Sequence, residues 1–187
     1  MKLGEKGFTL VELVVATAIT VLASGAAGAA IFQIFGGTER NSDHITAVCQ
    51  VQNAGYWISR DVQMAQSVTA DNLTPPDFLV LSWTEEGSGD EYQVVYTLEN
   101  MLESELKKLH RNQSINGEAS TTLLVAQHID PDPEKTKCEF TNGLLTLTVT
   151  ATVGDGSLTE SETRTYKVVP RARIIVVMDG IDEKDIL

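Results

Sequence analysis

The sequence predicts an α+β fold in which one long N-terminal helix packs against an antiparallel β-sheet. Residues 8–35 form an almost uncharged apolar run, and a helical apolar periodicity continues from Val48 to Ala65. From Phe78 onward, apolar and polar residues alternate in short segments, as they do in strands with one buried face. Pro75 and Pro76 separate the two parts, because proline cannot continue a helix.

The apolar run is long enough to cross a membrane. It contains one charged residue, Glu12, and about twenty apolar residues rising roughly 1.5 Å each span a hydrocarbon core of about 30 Å. Lys2 and Lys6 precede the run, and positive residues stay on the cytoplasmic side. The chain is therefore predicted to cross the cytoplasmic (inner) membrane once, with its N-terminus inside and the later residues outside.

Three kinds of N-terminal segment fit this pattern. A secretory signal peptide would be cut within the small residues 23–30. A plain signal anchor would not be cut, and a third type of leader would be cut before the apolar run. Glu12 favours the third, because a carboxylate inside a spanning helix costs about 2.5–3.5 kcal/mol and usually marks function.

The residues Gly7-Phe8-Thr9-Leu10-Val11-Glu12 resemble the processing site of type IV prepilins and pseudopilins, the class III prepilin leader. The resemblance implies that residues 1–7 are a leader and that prepilin peptidase, a membrane aspartyl enzyme, cuts between Gly7 and Phe8. It also implies that Phe8 becomes an N-methylated N-terminus. Glu12 would then pair with the N-terminal amine of a neighbouring subunit during assembly. Many major pilins have a proline late in the membrane segment, whereas this chain has none before Pro75.

Residues 36–66 are predicted to continue the helix outside the membrane as an amphipathic segment. Gly36 and Gly37 interrupt the apolar run without a proline, so the helix is expected to bend and continue. Its apolar face recurs every three or four residues and consists of Val48, Val51, Gly55, Ile58, Val62 and Ala65. Arg60 and Asp61 are assigned mostly to other faces, where they form a local ion pair or cap sheet carbonyls.

Residues 67–187 are predicted to form an extracytoplasmic antiparallel sheet with an acidic C-terminal tail. The predicted strands are 78–84, 92–98, 121–129, 145–153, 163–169 and 172–177. The clearest hairpin joins 145–153, in which threonines alternate with apolar residues, to 163–169. Residues 99–110 fit either a helical turn or an irregular strand. Residues 57–65 and 166–171 resemble the minor pseudopilins of the J type and similar minor pilins.

Composition and motifs argue against several functions. The formal net charge of −12 opposes direct contact with nucleic acid, whose phosphates require a basic surface. The three histidines, His44, His110 and His128, fit no catalytic motif, and neither an enzyme activity nor a cofactor is expected.

Two small sets of residues remain as candidate sites. Asp130, Asp132 and Glu134 offer a weak set of oxygen ligands for calcium, and no other metal site is expected. Cys49 and Cys138 would form one disulfide if the domain lies outside the cytoplasm, or each is a small buried residue.

The resemblance predicts a structural assembly subunit, a minor pilin or minor pseudopilin of a type IV pilus or type II secretion filament. Its partners would be prepilin peptidase, other pilin or pseudopilin subunits and the inner-membrane assembly platform. The alternative is a pilus-tip adhesin or ligand-binding minor pilin, although adhesive pilins commonly carry a large extra domain that this chain is too short to hold. The sequence leaves open whether the machine serves secretion, motility, adhesion or competence.

Overall fold

The structure is a computed structural model that describes residues 9–71, 73–102, 104–154, 156 and 159–171. Helix α1 runs Leu10–Met64, and the strands are β1 Ser67–Thr69, β2 Asp77–Thr84, β3 Glu91–Asn100, β4 Lys107–Ile115, β5 Glu118–Ile129, β6 Lys137–Thr141, β7 Leu144–Val153 and β8 Glu160–Val168. The predicted long helix packed on an antiparallel sheet is confirmed. The leader 1–7, Phe8 and the predicted strand 172–177 lie outside the described residues.

Helix α1 is unbroken through Gly36 and Gly37, as the absence of a proline predicts. It ends at Met64, where Ala65 turns into the extended region and its N–H donates to the carbonyls of Asp61 and Val62 at 3.0 and 3.1 Å. The next residue, Gln66, already hydrogen-bonds strand β2: its N–H donates to the carbonyl of Ser82 at 2.9 Å. The helix therefore passes directly into the edge of the sheet.

The sheet has two parts that meet at one corner. Its strand order is β1-β2-β3-β4-β5-β7-β6, with β8 on the other edge of β7, and every pairing is antiparallel. We call β1–β5 the first half and β6–β8 the second half. Among the described residues the strand pairing between the halves consists of Ile129 opposite Ala151. His128, just before this pair, has a φ of 59°, which marks a local kink where β5 changes partner.

Two hairpins were not predicted from the sequence, and they contribute strands β4 and β6 to the sheet. Asn116-Gly117 joins β4 to β5, and Asn142-Gly143 joins β6 to β7. All four residues have positive φ, which is the requirement of a type I′ hairpin turn. The ambiguous residues 99–110 contain the end of β3, at Asn100, and the start of β4, at Lys107.

The C-terminal part of α1, from Ala47 onward, packs on strands of both halves of the sheet. Its buried apolar residues are Ala47, Val51, Ala54, Ile58, Val62 and, just after the helix, Ala65. They pack with residues of both halves, including Leu79, Leu81, Val94, Leu145, Leu147 and Val149. The alternation predicted for 145–153 is confirmed, because Leu145, Leu147, Val149 and Ala151 are all buried.

Two details of the predicted helix face were wrong. Val48 is only partly buried, because Ala47 and Ala54 occupy the core positions that match the 3.6-residue period. Asp61 was assigned to an outer face but lies in the core, since it is one turn from Ile58 and adjacent to Val62 on the same stripe.

Candidate functional site: the apolar half of helix α1 and its junction with the sheet

The N-terminal part of α1 is apolar and uncovered. None of the residues 9–46 is buried, and Phe32 is 80% exposed. The helix is long and apolar enough to cross a membrane. A continuous apolar surface of this size requires lipid or other apolar helices around it, because water would leave it unfavourably solvated. The sheet supplies no such cover, so this part of the helix is available to a membrane or to partners.

Glu12 lies in the first turn of α1, where it forms a reciprocal cap with Thr9. The N–H of Glu12 donates to Thr9 Oγ1 at 3.2 Å, and both the N–H and the hydroxyl of Thr9 donate to Glu12 Oε2, at 3.2 and 3.1 Å. This capping box satisfies N–H groups that the first turn would leave unpaired. Its Thr-x-x-Glu spacing was readable from the sequence but was not used in the prediction.

The arrangement leaves the Glu12 carboxylate able to bind a cation. The capping hydrogen bonds use Oε2, and a carboxylate offers about four acceptor positions on its two oxygens. Thr9 is the N-cap, so Phe8 comes just before the helix in sequence. The predicted cleavage site Gly7-Phe8 itself lies outside the described residues.

A buried ionic cluster joins the end of α1 to the first half of the sheet. We call Asp61, Tyr96 and Arg111 the Asp61 cluster. Asp61 Oδ2 accepts hydrogen bonds from the Tyr96 hydroxyl and from Arg111 Nε, both at 2.6 Å, while Oδ1 accepts from Arg111 Nη2 at 3.2 Å. Asp61 is 0% and Arg111 8% exposed. Tyr96 and Arg111 are directly opposite each other on β3 and β4.

In this cluster one negative charge meets one positive charge, and each nitrogen of the guanidinium and the phenol hydroxyl donate a hydrogen bond. Burial, and then the negative charge of Asp61, raises the pKa of Tyr96 above its usual value, so the phenol keeps its proton and donates it. Burial alone would lower the pKa of Arg111, but its hydrogen bonds and attraction to Asp61 outweigh burial, and the pKa is raised. Arg111 Nη1 also donates to Gln113 Oε1 at 2.9 Å.

The local pair that the sequence suggested between Arg60 and Asp61 does not form. Asp61 pairs with Arg111, fifty residues away in the chain. The guanidinium of Arg60 instead lies 5.3 Å from the ring centroid of Trp57, and that of Arg111 lies 5.5 Å from it. The correct partner could not be read from local sequence, because only the fold brings β4 to the helix end.

The two cysteines are free in the structure, so the predicted option of a helix-to-sheet disulfide is not realised there. Cys49 is exposed on α1, two residues from both Ala47 and Val51, and therefore on the opposite side of the helix from the core. Cys138 on β6 packs against the core. Burial, with smaller effects of Asp71 and Glu139, raises the pKa of the Cys138 thiol to about 12.

The weak calcium candidate is not supported by the geometry. Asp130 forms an ion pair with Lys135 at 2.8 Å and accepts the N–H of Asp132 at 3.1 Å, while Asp132 accepts the N–H of Glu134 at 3.0 Å. These contacts are those of a tight turn. Within the described part of the chain, no three or more His, Cys, Asp or Glu residues form a group that could hold a metal ion.

The comparisons with known proteins reach only the N-terminal part of the chain. Residues 2–28 match the family model described as the prokaryotic N-terminal methylation motif. No curated protein and no solved structure matches the chain. The matched residues include the predicted cleavage site and Glu12, whereas residues 57–65 and 166–171, on which the more specific resemblance rests, lie outside them.

Proposed function

We propose that this chain belongs to the type IV pilin and pseudopilin family and is a structural assembly subunit, a minor pilin or minor pseudopilin. In this proposal it enters a type IV pilus or type II secretion filament through α1. The N-terminal methylation motif indicates a pilin-like protein processed by prepilin peptidase. In this proposal the protein works by assembling and not by catalysis. It is anchored in the inner membrane with its N-terminus inside and its sheet outside.

The observation that carries the proposal is the overlap of the motif with the uncovered part of α1. The motif ends at residue 28, and none of the residues 9–46 is buried by the part of the chain that the structure describes. Lipid can cover this apolar surface before assembly, and the helices of other subunits can cover it in a filament. A soluble enzyme or a free binding module would have no use for an uncovered apolar helix of this length.

Glu12 supports the same proposal through its charge and position. Cleavage after Gly7 would create a new amine on Phe8, which methylation to a secondary amine leaves protonatable. A carboxylate and an ammonium group attract each other several-fold more strongly in an apolar environment than in water. The neighbour's amine would bind the carboxylate that already caps the first turn of α1. This contact would align each new subunit with the previous one.

Processing and partners can be tested together in native membranes. Intact mass of the extracted protein should show a chain that begins at Phe8 and carries a methyl group. Gly7→Val should leave the precursor uncut, whereas Gly4→Val, the matched control within the leader, should be cut normally. A mature N-terminus within residues 23–30 would identify a secretory signal peptide and contradict the proposal.

Affinity purification of the processed full chain should recover subunits that carry their own N-terminal methylation motif, together with components of the inner-membrane assembly platform. Recovery of no such subunit, combined with binding of the extracytoplasmic domain to glycans or surfaces, would instead support the adhesin alternative. Neighbouring genes would identify the machine: a secretin with general secretion genes, or a retraction ATPase.

A further inference from the structure

The two halves of the sheet depend on α1 for their relative position. In the described part of the chain, their strand pairing is limited to Ile129 opposite Ala151, next to which the N–H of Asp130 donates to the carbonyl of Thr150 at 2.9 Å. Helix α1 contacts β2 and β5 of the first half and β7 and β8 of the second. Each half is therefore held to the helix by its own set of contacts.

The second half has a contact that fixes its position on the helix. The ring of Tyr166 on β8 lies against Gly55, and its hydroxyl donates to the carbonyl of Val51 at 3.1 Å. A Cβ added at residue 55 would overlap the ring of Tyr166. Because the contact needs a glycine and one particular carbonyl, it specifies a single position of α1 along β8.

The apolar contacts of the first half do not specify a position in this way. The buried stripe of α1 consists of similar small and branched residues, Ala47, Val51, Ala54, Ile58 and Val62. A shift of the helix by one turn, about 5.4 Å, would place one such residue where another had been. A uniform apolar seam favours contact but specifies register poorly, as in coiled coils that use one buried polar residue for register.

Within the described residues, side chains of α1 make directional contacts with the first half at two places, and the residue just past the helix adds a third. Near the corner of the sheet, Gln50 Oε1 accepts the N–H of Gln127 at 2.7 Å. At the other end of the packed segment, the Asp61 cluster makes three hydrogen bonds that tie the helix to β3 and β4. Just past the end of the helix, Gln66 adds hydrogen bonds to Ser82 and Thr84 of β2. Of these contacts, the Asp61 cluster is the one that acts on the helix itself far from the corner.

Net stability does not explain such a cluster, because the cost of burying two charges offsets much of their attraction. Apolar residues of similar size often replace a buried ion pair without loss of stability. We propose that the Asp61 cluster is a positioning device, which fixes the rotation and axial position of α1 against the first half of the sheet. Resting on the proposed function, it would thereby set the direction in which the assembled helix presents this half.

The experiment measures distances within the full-length chain in detergent, so its outcome does not depend on assembly. In a Cys138→Ala background, one spin label is placed on the exposed native Cys49 of α1. The second label goes on Gln93→Cys of β3 in the first half or on Lys167→Cys of β8 in the second, both at exposed positions. Distance distributions come from double electron–electron resonance.

The test variant is the triple substitution Asp61→Leu, Tyr96→Phe and Arg111→Met. The distribution from Cys49 to position 93 should broaden or shift by about one helical turn, roughly 5 Å. The distribution from Cys49 to position 167 should stay as in the parent chain. Arg40→Gln, which removes the exposed ion pair of α1 with Glu160 on β8 at 3.3 Å, is the matched control and should change neither distribution.

Two outcomes would overturn the proposal. Unchanged distances to both positions would mean that apolar packing alone sets the helix position. Equal broadening of the distance distributions to positions 93 and 167 would mean that the cluster is an ordinary stabilising contact. If the triple variant does not fold, Arg111→Lys with Tyr96→Phe keeps the charge pair but removes most of the directional hydrogen bonds, and the same two measurements decide.

Discussion

The ring of Tyr166 lies where the side chain of residue 55 would stand if that residue were not glycine. We predict that Gly55→Ala lowers the free energy of unfolding by about 1–3 kcal/mol, because overpacking exceeds the roughly 1 kcal/mol that alanine gains over glycine in a helix. Thermal unfolding of the full chain in detergent, followed by the circular dichroism of its strands, measures the effect. The expected fall in Tm is about 3–10 °C.

Gly36→Ala is the matched control for this substitution. Gly36 lies in the same helix, but apart from its chain neighbours and the nearby helix backbone no described atom lies within 4 Å of its added Cβ. Alanine should there leave Tm unchanged or raise it slightly. Equal effects of the two substitutions would show that helix propensity, and not contact with Tyr166, decides the result.

Arg111→Met alone should destabilise the protein strongly, in contrast to the triple apolar variant. It leaves the Asp61 carboxylate buried with the Tyr96 hydroxyl as its remaining partner, and breaking a buried pair in this way costs about 3–5 kcal/mol. Urea unfolding monitored by tryptophan fluorescence measures the loss. Lys137→Met, which breaks the exposed pair with Glu139, is the control and should have little effect. A small loss for Arg111→Met would show that Asp61 gains access to water.

Charge and capping at Glu12 can be separated by three substitutions. Glu12→Gln keeps a side-chain oxygen that can cap Thr9 but removes the charge, so the chain should be inserted and cleaved yet fail to join partner subunits. We expect co-purified partners to fall about tenfold or more, which corresponds to at least 1.4 kcal/mol of lost pairing. Thr9→Ala removes the cap hydroxyl but keeps the charge, and should assemble.

Glu12→Asp should be intermediate, because its shorter side chain keeps the charge but weakens the contact. Quantitative immunoblotting of partners recovered with each variant gives the order. Normal recovery with Glu12→Gln would refute the charge pair and leave Glu12 as a helix cap or a determinant of processing.

The two cysteines should react very differently in the folded protein. Because burial raises the pKa of the Cys138 thiol to about 12, little of it is the reactive thiolate at pH 8. Cys49 is exposed. Iodoacetamide followed by intact mass should therefore add one label to the native chain and two to the unfolded chain. The native Cys49→Ser variant should take up no label. Rapid labelling of both cysteines in the native chain would contradict the burial of Cys138.

Periodicity alone was enough to predict the helix and the β7–β8 hairpin. The stripe through Val51, Ile58 and Val62 and the alternation in 145–153 are local patterns that the fold preserves. Strands β4 and β6 were missed although their Asn-Gly turns are visible in the sequence. Attention to these two dipeptides would have supplied both hairpins.

The burial of Asp61 could not be predicted in the same way. A charged residue on an apolar stripe normally indicates the edge of the buried face, and its partner Arg111 lies on a strand that was itself ambiguous in the sequence. The site at Glu12 differs, because its capping partner Thr9 is only three residues away in the sequence. The site at Glu12 was therefore predictable from the sequence, and the Asp61 cluster was not.

Because α1 continues without a break through Gly36 and Gly37, a change in the tilt of its N-terminal end moves its C-terminal end as well. Its 55 residues give a contour length of about 80 Å, at a rise of roughly 1.5 Å each. A tilt of about 20°, the average for membrane helices, would carry the far end of such a rod sideways by some 25–30 Å. Small changes of angle at the apolar end are thus magnified at the sheet, so the surroundings of that end decide where the sheet can reach.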